Sequence, residues 1–192
     1  MKKIFFIMAA PLLFASCNGD QEVKETKTDL SQLPLTDTIL VKKGAHLVMV
    51  SGCNDCHSPK MMTEHGPVPD PDLLLSGHPE KLPLATYDTA TVKNWVLFNM
   101  NMTAVRGPWG TSFSANLTPD PSGIGNWTEQ QFSNALRKGY FKGVEGGRML
   151  LPPMPWPNFA QFTDEEVHAI FAYLKSIKPV KNYVPAAIPP GA

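Results

Sequence analysis

The chain of 192 residues has room for one domain of ordinary size and a short arm, and its 43% apolar and 18% charged residues allow a sizeable core. Seventeen Lys and Arg balance seventeen Asp and Glu, and no basic cluster marks an electrostatic footprint, which excludes a nucleic-acid partner. Nineteen prolines and fourteen glycines predict short helices separated by long ordered loops.

Residues 1–16 carry Lys2 and Lys3, an apolar run from Ile4 to Leu13, and then Phe14-Ala15-Ser16 before Cys17. That is the shape of a secretory signal, with an apolar run too short to anchor in a bilayer. The end of it resembles the lipobox of bacterial lipoproteins, with Phe14 where an aliphatic residue is more usual. It implies cleavage and lipidation at Cys17, so that an exported protein is anchored to a bacterial membrane with its domain in the periplasm or at the cell surface. The alternative is an ordinary cleaved signal with Cys17 a bystander. Removing Lys2 and Lys3 leaves fifteen basic against seventeen acidic residues, a net charge of −2. Residues 17–38 are polar, mix charges and lack apolar periodicity, as expected of a flexible tether.

A folded domain is expected over residues 39–182. Its first helix is read over Leu40 to Cys53, with Gly44 where a second helix can approach closely. Leu47 to Val50 is a continuous apolar run, so periodicity alone is weak there. The helix delivers Ser51-Gly52-Cys53-Asn54-Asp55-Cys56-His57, the stretch that organises the chain. Two cysteines two residues apart, followed at once by histidine, form the attachment pattern of a c-type haem. Each thiol adds across one vinyl group, and the imidazole of His57 meets the iron from the same side. A dithiol redox pair needs a thioredoxin-like βαβ setting, and a structural zinc module needs a second pair of soft ligands; neither is present. Three cysteines then divide into two for haem and one for lipid, leaving none for a disulfide.

Beyond His57, Pro59, Pro67, Pro69, Pro71, Pro79 and Pro83 predict a loop, with one helical turn around Leu73 to Ser76. Asp88 to Met102 is read as a helix from the spacing of Val92, Trp95, Val96 and Asn99, against Thr89 and Thr91. Arg106 to Asn126 is rich in Gly, Pro, Asn and Ser and is read as loop. Two helices close the domain. Thr128 to Gln131 forms a capping box ahead of Phe132, Ala135 and Leu136, and that helix stops near Gly139. Thr163 to Glu166 forms a second box ahead of Val167, Ile170, Phe171, Leu174 and Ile177, with Lys175 and Lys178 near the end and Pro179 as the stop. The tail, 183–192, holds three prolines and is expected to run over the surface.

An electron carrier needs both axial positions of its iron filled by protein. His57 is one ligand. For the other, Pro152-Pro153-Met154-Pro155 offers a thioether on a stiff backbone, and Met/His ligation raises the reduction potential. Met149 is the rival, with Met100 and Met102 behind it; Met61 and Met62 lie too close to the haem motif to reach the opposite face. Among the histidines, His168 is expected to be a surface or helix-packing residue. His46 is unassigned, and His65 or His78 as ligand would give a low-potential bis-histidine centre.

The haem motif together with Leu75 to Pro79, Asn116-Leu117-Thr118-Pro119-Asp120, Gly123 to Thr128 and Pro153-Met154-Pro155-Trp156 resembles bacterial periplasmic cytochromes c. It is similar to single domains of the multi-haem cytochrome subunits of membrane-associated alcohol and sugar-acid dehydrogenases. The resemblance implies an all-α cytochrome c fold with long ordered loops around one covalently bound haem. It implies first and last helices that cross, with Gly44 near Phe171 and Leu174. It also implies electron exchange with redox partner proteins, without a small-molecule substrate or an enzymatic activity of its own. Arg106, Trp109, Phe113, Asn116 and Trp127 are candidates for the haem pocket or for loop packing. The chain departs from those subunits in having one CxxCH instead of three. The competing reading is a haem sensor, or a peroxide-reacting protein, with a displaceable sixth ligand.

Overall fold

The computed structural model describes residues 29–191, so the expected signal, Cys17 and most of the expected tether lie outside the described residues. Asp37 begins the first helix, α1 (Thr38–Val50), its carboxylate accepting the amides of Ile39 at 2.8 Å and Leu40 at 3.2 Å. The expected single helix through Cys53 is broken, because Gly52 takes a left-handed conformation (φ +69°) and starts a separate short helix, α2 (Cys53–His57). The two capping boxes are formed, opening α3 (Glu129–Lys138) and α5 (Asp164–Ser176). Gly139 ends α3 in the left-handed region. Between them lies one turn, α4 (Trp156–Phe159).

The expected all-α architecture is overturned, because two antiparallel sheets occupy the long central stretch. The first is a hairpin of β1 (Lys60–Thr63) and β2 (Gly66–Pro69), turning at Glu64-His65. Its register puts Pro67 opposite Met62 and Pro69 opposite Lys60, alternate positions that need no amide in the ladder. The second sheet has the order β3 (Leu97–Phe98), β4 (Ala104–Gly107), β5 (Gly110–Phe113). The helix expected from Asp88 to Met102 is thus a single 3-10 turn at Thr91–Lys93 followed by β3, and Trp95 is exposed. The loop expected from Arg106 begins as a hairpin with Pro108-Trp109 at its tip. Leu73 to Ser76 is a non-helical turn.

Helices α1 and α5 cross closely. A side chain on Gly44 would collide with the Ala169 carbonyl and the Tyr173 Cβ, so the crossing lies one face away from the expected Phe171 and Leu174. Those two instead join Val48, Leu75, Ile124, Phe132, Leu136, Val167 and Ile170 in the main core. A smaller cluster of Leu40, Ala169 and Ala172 is covered by Leu30, Leu33 and Leu35, which lie inside the segment expected to be a tether. The C-terminal tail does not merely lie on the surface: Ile188 bridges Thr111 of β5 through two backbone hydrogen bonds of 2.8 and 3.0 Å.

Candidate functional site

Cys53, Cys56 and His57 share α2, and the chain grips that short helix from three sides. The His57 carbonyl accepts the Gly77 amide at 2.7 Å. Ser58 Oγ donates to Asn54 Oδ1 and accepts the amide of Leu75, a fully buried residue held at φ +58°. The imidazole Nδ1 lies 2.8 Å from the Ala115 carbonyl, just past β5. A carbonyl only accepts, so Nδ1 carries the proton and Nε2 keeps its lone pair. Burial lowers the His57 pKa, with the Ala115 bond opposing and the Lys60 charge reinforcing the shift, so the ring is neutral.

Burial pushes the Cys53 thiol up to about 11, with the Asp55 charge adding to it, and raises Cys56 in the same sense. A redox dithiol works through a depressed pKa, so this microenvironment opposes that rival. Among the described residues no three His, Cys, Asp or Glu side chains gather as a metal site.

Met154 is half-buried against the main core, and so is Cys53. The proline-rich segment is fastened to the sheet by Ser112 Oγ, which donates to the Pro152 carbonyl at 2.6 Å. The other described methionines, Met49, Met61, Met62, Met100, Met102 and Met149, are exposed. Met149 has its backbone bridged to Tyr140. His46 and His65 are exposed as well. His168 pairs with Glu129 at 2.9 Å and with the Leu33 carbonyl at 2.8 Å. His78 is fully buried, bonded to Thr103 Oγ1 at 2.9 Å and packed on Phe113 at 4.7 Å.

The candidate pocket residues separate. Asn116 is consumed by the loops: its carbonyl accepts from Thr118, and its amide donates to Ser122 Oγ and to the Val180 and Asn182 carbonyls. Trp127 flanks the core. Arg106 bonds Thr111 at 2.7 Å and lies over Tyr87. The buried indole N–H of Trp109 has no acceptor among the described residues, while its ring fills the space beside Gly107. Sequence reasoning missed the Ala115 carbonyl and Ser58. The first has no side-chain signal, and the second is a single serine just past the motif with no pattern of its own.

A helical frame that presents two thiols and a neutral imidazole from one turn is the frame of a c-type haem protein. The cytochrome c family model matches residues 41–178, and the chain belongs to that family, whose members carry covalent haem c and transfer electrons. The chain is 32% identical over 155 residues to the cytochrome c subunit of alcohol dehydrogenase (quinone) from Gluconacetobacter polyoxogenes, covering 80% of this chain and 25% of that one. It is 29% identical over 184 residues to the gluconate 2-dehydrogenase cytochrome c subunit of Pantoea cypripedii, covering 94% and 30%. Against the fructose dehydrogenase cytochrome subunit of Gluconobacter japonicus the identity is 42% over 79 residues, 40% and 16% of the two chains. The chain thus spans about a quarter of the length of the first of these relatives.

Proposed function

We propose that the protein is a lipid-anchored monohaem cytochrome c, a single-electron carrier and not an enzyme, working beside a membrane-associated dehydrogenase or oxidase. The observation that carries the reading is the His57 ring, fixed by the Ala115 carbonyl so that Nε2 stays available one residue from the second thiol. The residues fit the group. Cys53 and Cys56 would hold its vinyl carbons, His57 and Met154 its iron, and the indole N–H of Trp109, which lacks an acceptor, suits a propionate carboxylate. The haem supplies a reversible one-electron iron couple. His57, locked in one tautomer by its carbonyl partner, keeps its orientation when charge changes. Met154, on a segment stiffened by prolines and pinned by Ser112, offers a soft donor that favours the reduced state. Among the described residues no helix is long and apolar enough to cross a membrane; the proposed anchor is a lipid on Cys17, at the end of the signal-like stretch. The relatives are cytochrome subunits of dehydrogenases, which supports a redox protein as partner.

Haem content of the matured protein tests the reading. Pyridine haemochrome analysis after acid-acetone extraction is expected to give one covalent haem per chain, and a colourless product overturns it. Met154→Ala is expected to lower the reduction potential and admit carbon monoxide, whereas Met149→Ala leaves both unchanged. The reverse pattern moves the ligand to Met149, and rapid carbon monoxide binding by the unmutated protein favours the sensor reading.

A further inference from the structure

Lys60 opens β1 three residues beyond His57 and is fixed at both ends of its length. Its backbone N–H donates to Asn101 Oδ1 at 2.9 Å, in the turn between β3 and β4. Its side chain turns back, and Nζ donates to the carbonyls of Asn54 at 3.0 Å, Asp55 at 2.9 Å and Ser58. All three ammonium hydrogens are therefore spent on backbone oxygens at the C-terminal end of α2. Of these, the Asn54 carbonyl also accepts the Ser58 amide at 3.3 Å, and all three lie at the end of the helix that carries its partial negative charge. Ordering a lysine side chain costs rotamer freedom, and three charge-assisted bonds offset that. Among the described residues no carboxylate lies within ion-pair distance of Nζ; Asp55 acts on it only through space.

We propose that Lys60 is a positioning residue of the haem-bearing helix that also raises the reduction potential of the centre. Its hydrogen bonds hold the end of α2 and hence the axial His57, and its cationic charge sits beside the attachment motif without an ion-paired counter-charge. Giving up one electron adds one positive charge at the centre, which a fixed cation nearby opposes. The proposal rests on the covalent haem reading.

Three substitutions separate the two actions. Lys60→Arg keeps charge and donors, Lys60→Gln keeps donors without charge, and Lys60→Met keeps neither. Potentials are measured by spectroelectrochemical titration of the holoproteins, with covalent haem content measured on each. Lys60→Gln is expected to shift the electron-transfer equilibrium toward oxidation by threefold or more, about 30 mV at 59 mV per decade, and Lys60→Arg to stay at the parent value. Lys60→Met is expected to match the Gln shift and, in addition, to unfold at lower temperature. A Gln variant with the parent potential, or an Arg variant that falls with it, overturns the proposal. The Gln and Arg pair decides it even where Lys60→Met fails to mature. A parent protein without covalent haem instead overturns the reading beneath it.

Discussion

At the scale of single residues, the same side-chain type does different work according to what surrounds it. His57 is kept neutral by burial, while His168 is shifted the other way. Burial opposes its protonation, but the Leu33 carbonyl and the Glu129 carboxylate together outweigh that and raise its pKa. A raised pKa in the folded state contributes stability that is complete below the unfolded value of about 6.5 and is lost as pH rises through the folded value. Urea unfolding of the parent and of His168→Gln at about pH 5.5 and about pH 8.5 is therefore expected to show the larger gap at the acidic pH. An equal gap at both removes the charged pair from the account. Asn116 and Trp109 make the related point for candidate site residues: both are polar groups in loop sequence, but only the indole is left wanting an acceptor.

At the scale of elements, α1 and α5 meet where Gly44 lies against the backbone of Ala169. Replacing Gly44 by alanine adds up to about 1 kcal/mol of helix propensity. The methyl group meets the Ala169 carbonyl, part of a helix backbone that cannot rotate aside, so overpacking wins. Gly44→Ala is expected to destabilise by about 1–3 kcal/mol in denaturant unfolding, and a neutral result means the helices slide apart at little cost. Helices α3 and α5 were legible in the sequence because their signals are local: Thr128 and Thr163 each name their own start three residues ahead of a partner. The strands were not. Glu64-His65 and Pro108-Trp109 lack the Asn-Gly or Asp-Gly signature of a tight hairpin, and prolines in β2 read as loop until the register shows them at ladder positions that need no amide. The haem motif was legible because it is contiguous. The Ala115 carbonyl that orients its histidine lies 58 residues away and is supplied by backbone, which no side-chain pattern announces.

At the scale of the whole molecule, part of the segment expected as a tether belongs to the packed structure, for Leu30 and Leu33 lie against α1 and α5. Cys17→Ser is expected to move the protein from the membrane fraction to the soluble exported fraction with its haem content unchanged; retention in the membrane removes the lipid from the proposal. The bridge between Ile188 and Thr111 has a broader consequence. A sheet rim with unspent amides is a template for any passing extended segment. Here the last residues of the chain take that place on β5, and the opposite rim, β3, is only two residues long. Pairing of copies strand upon strand through this three-stranded sheet is therefore hindered at both of its rims.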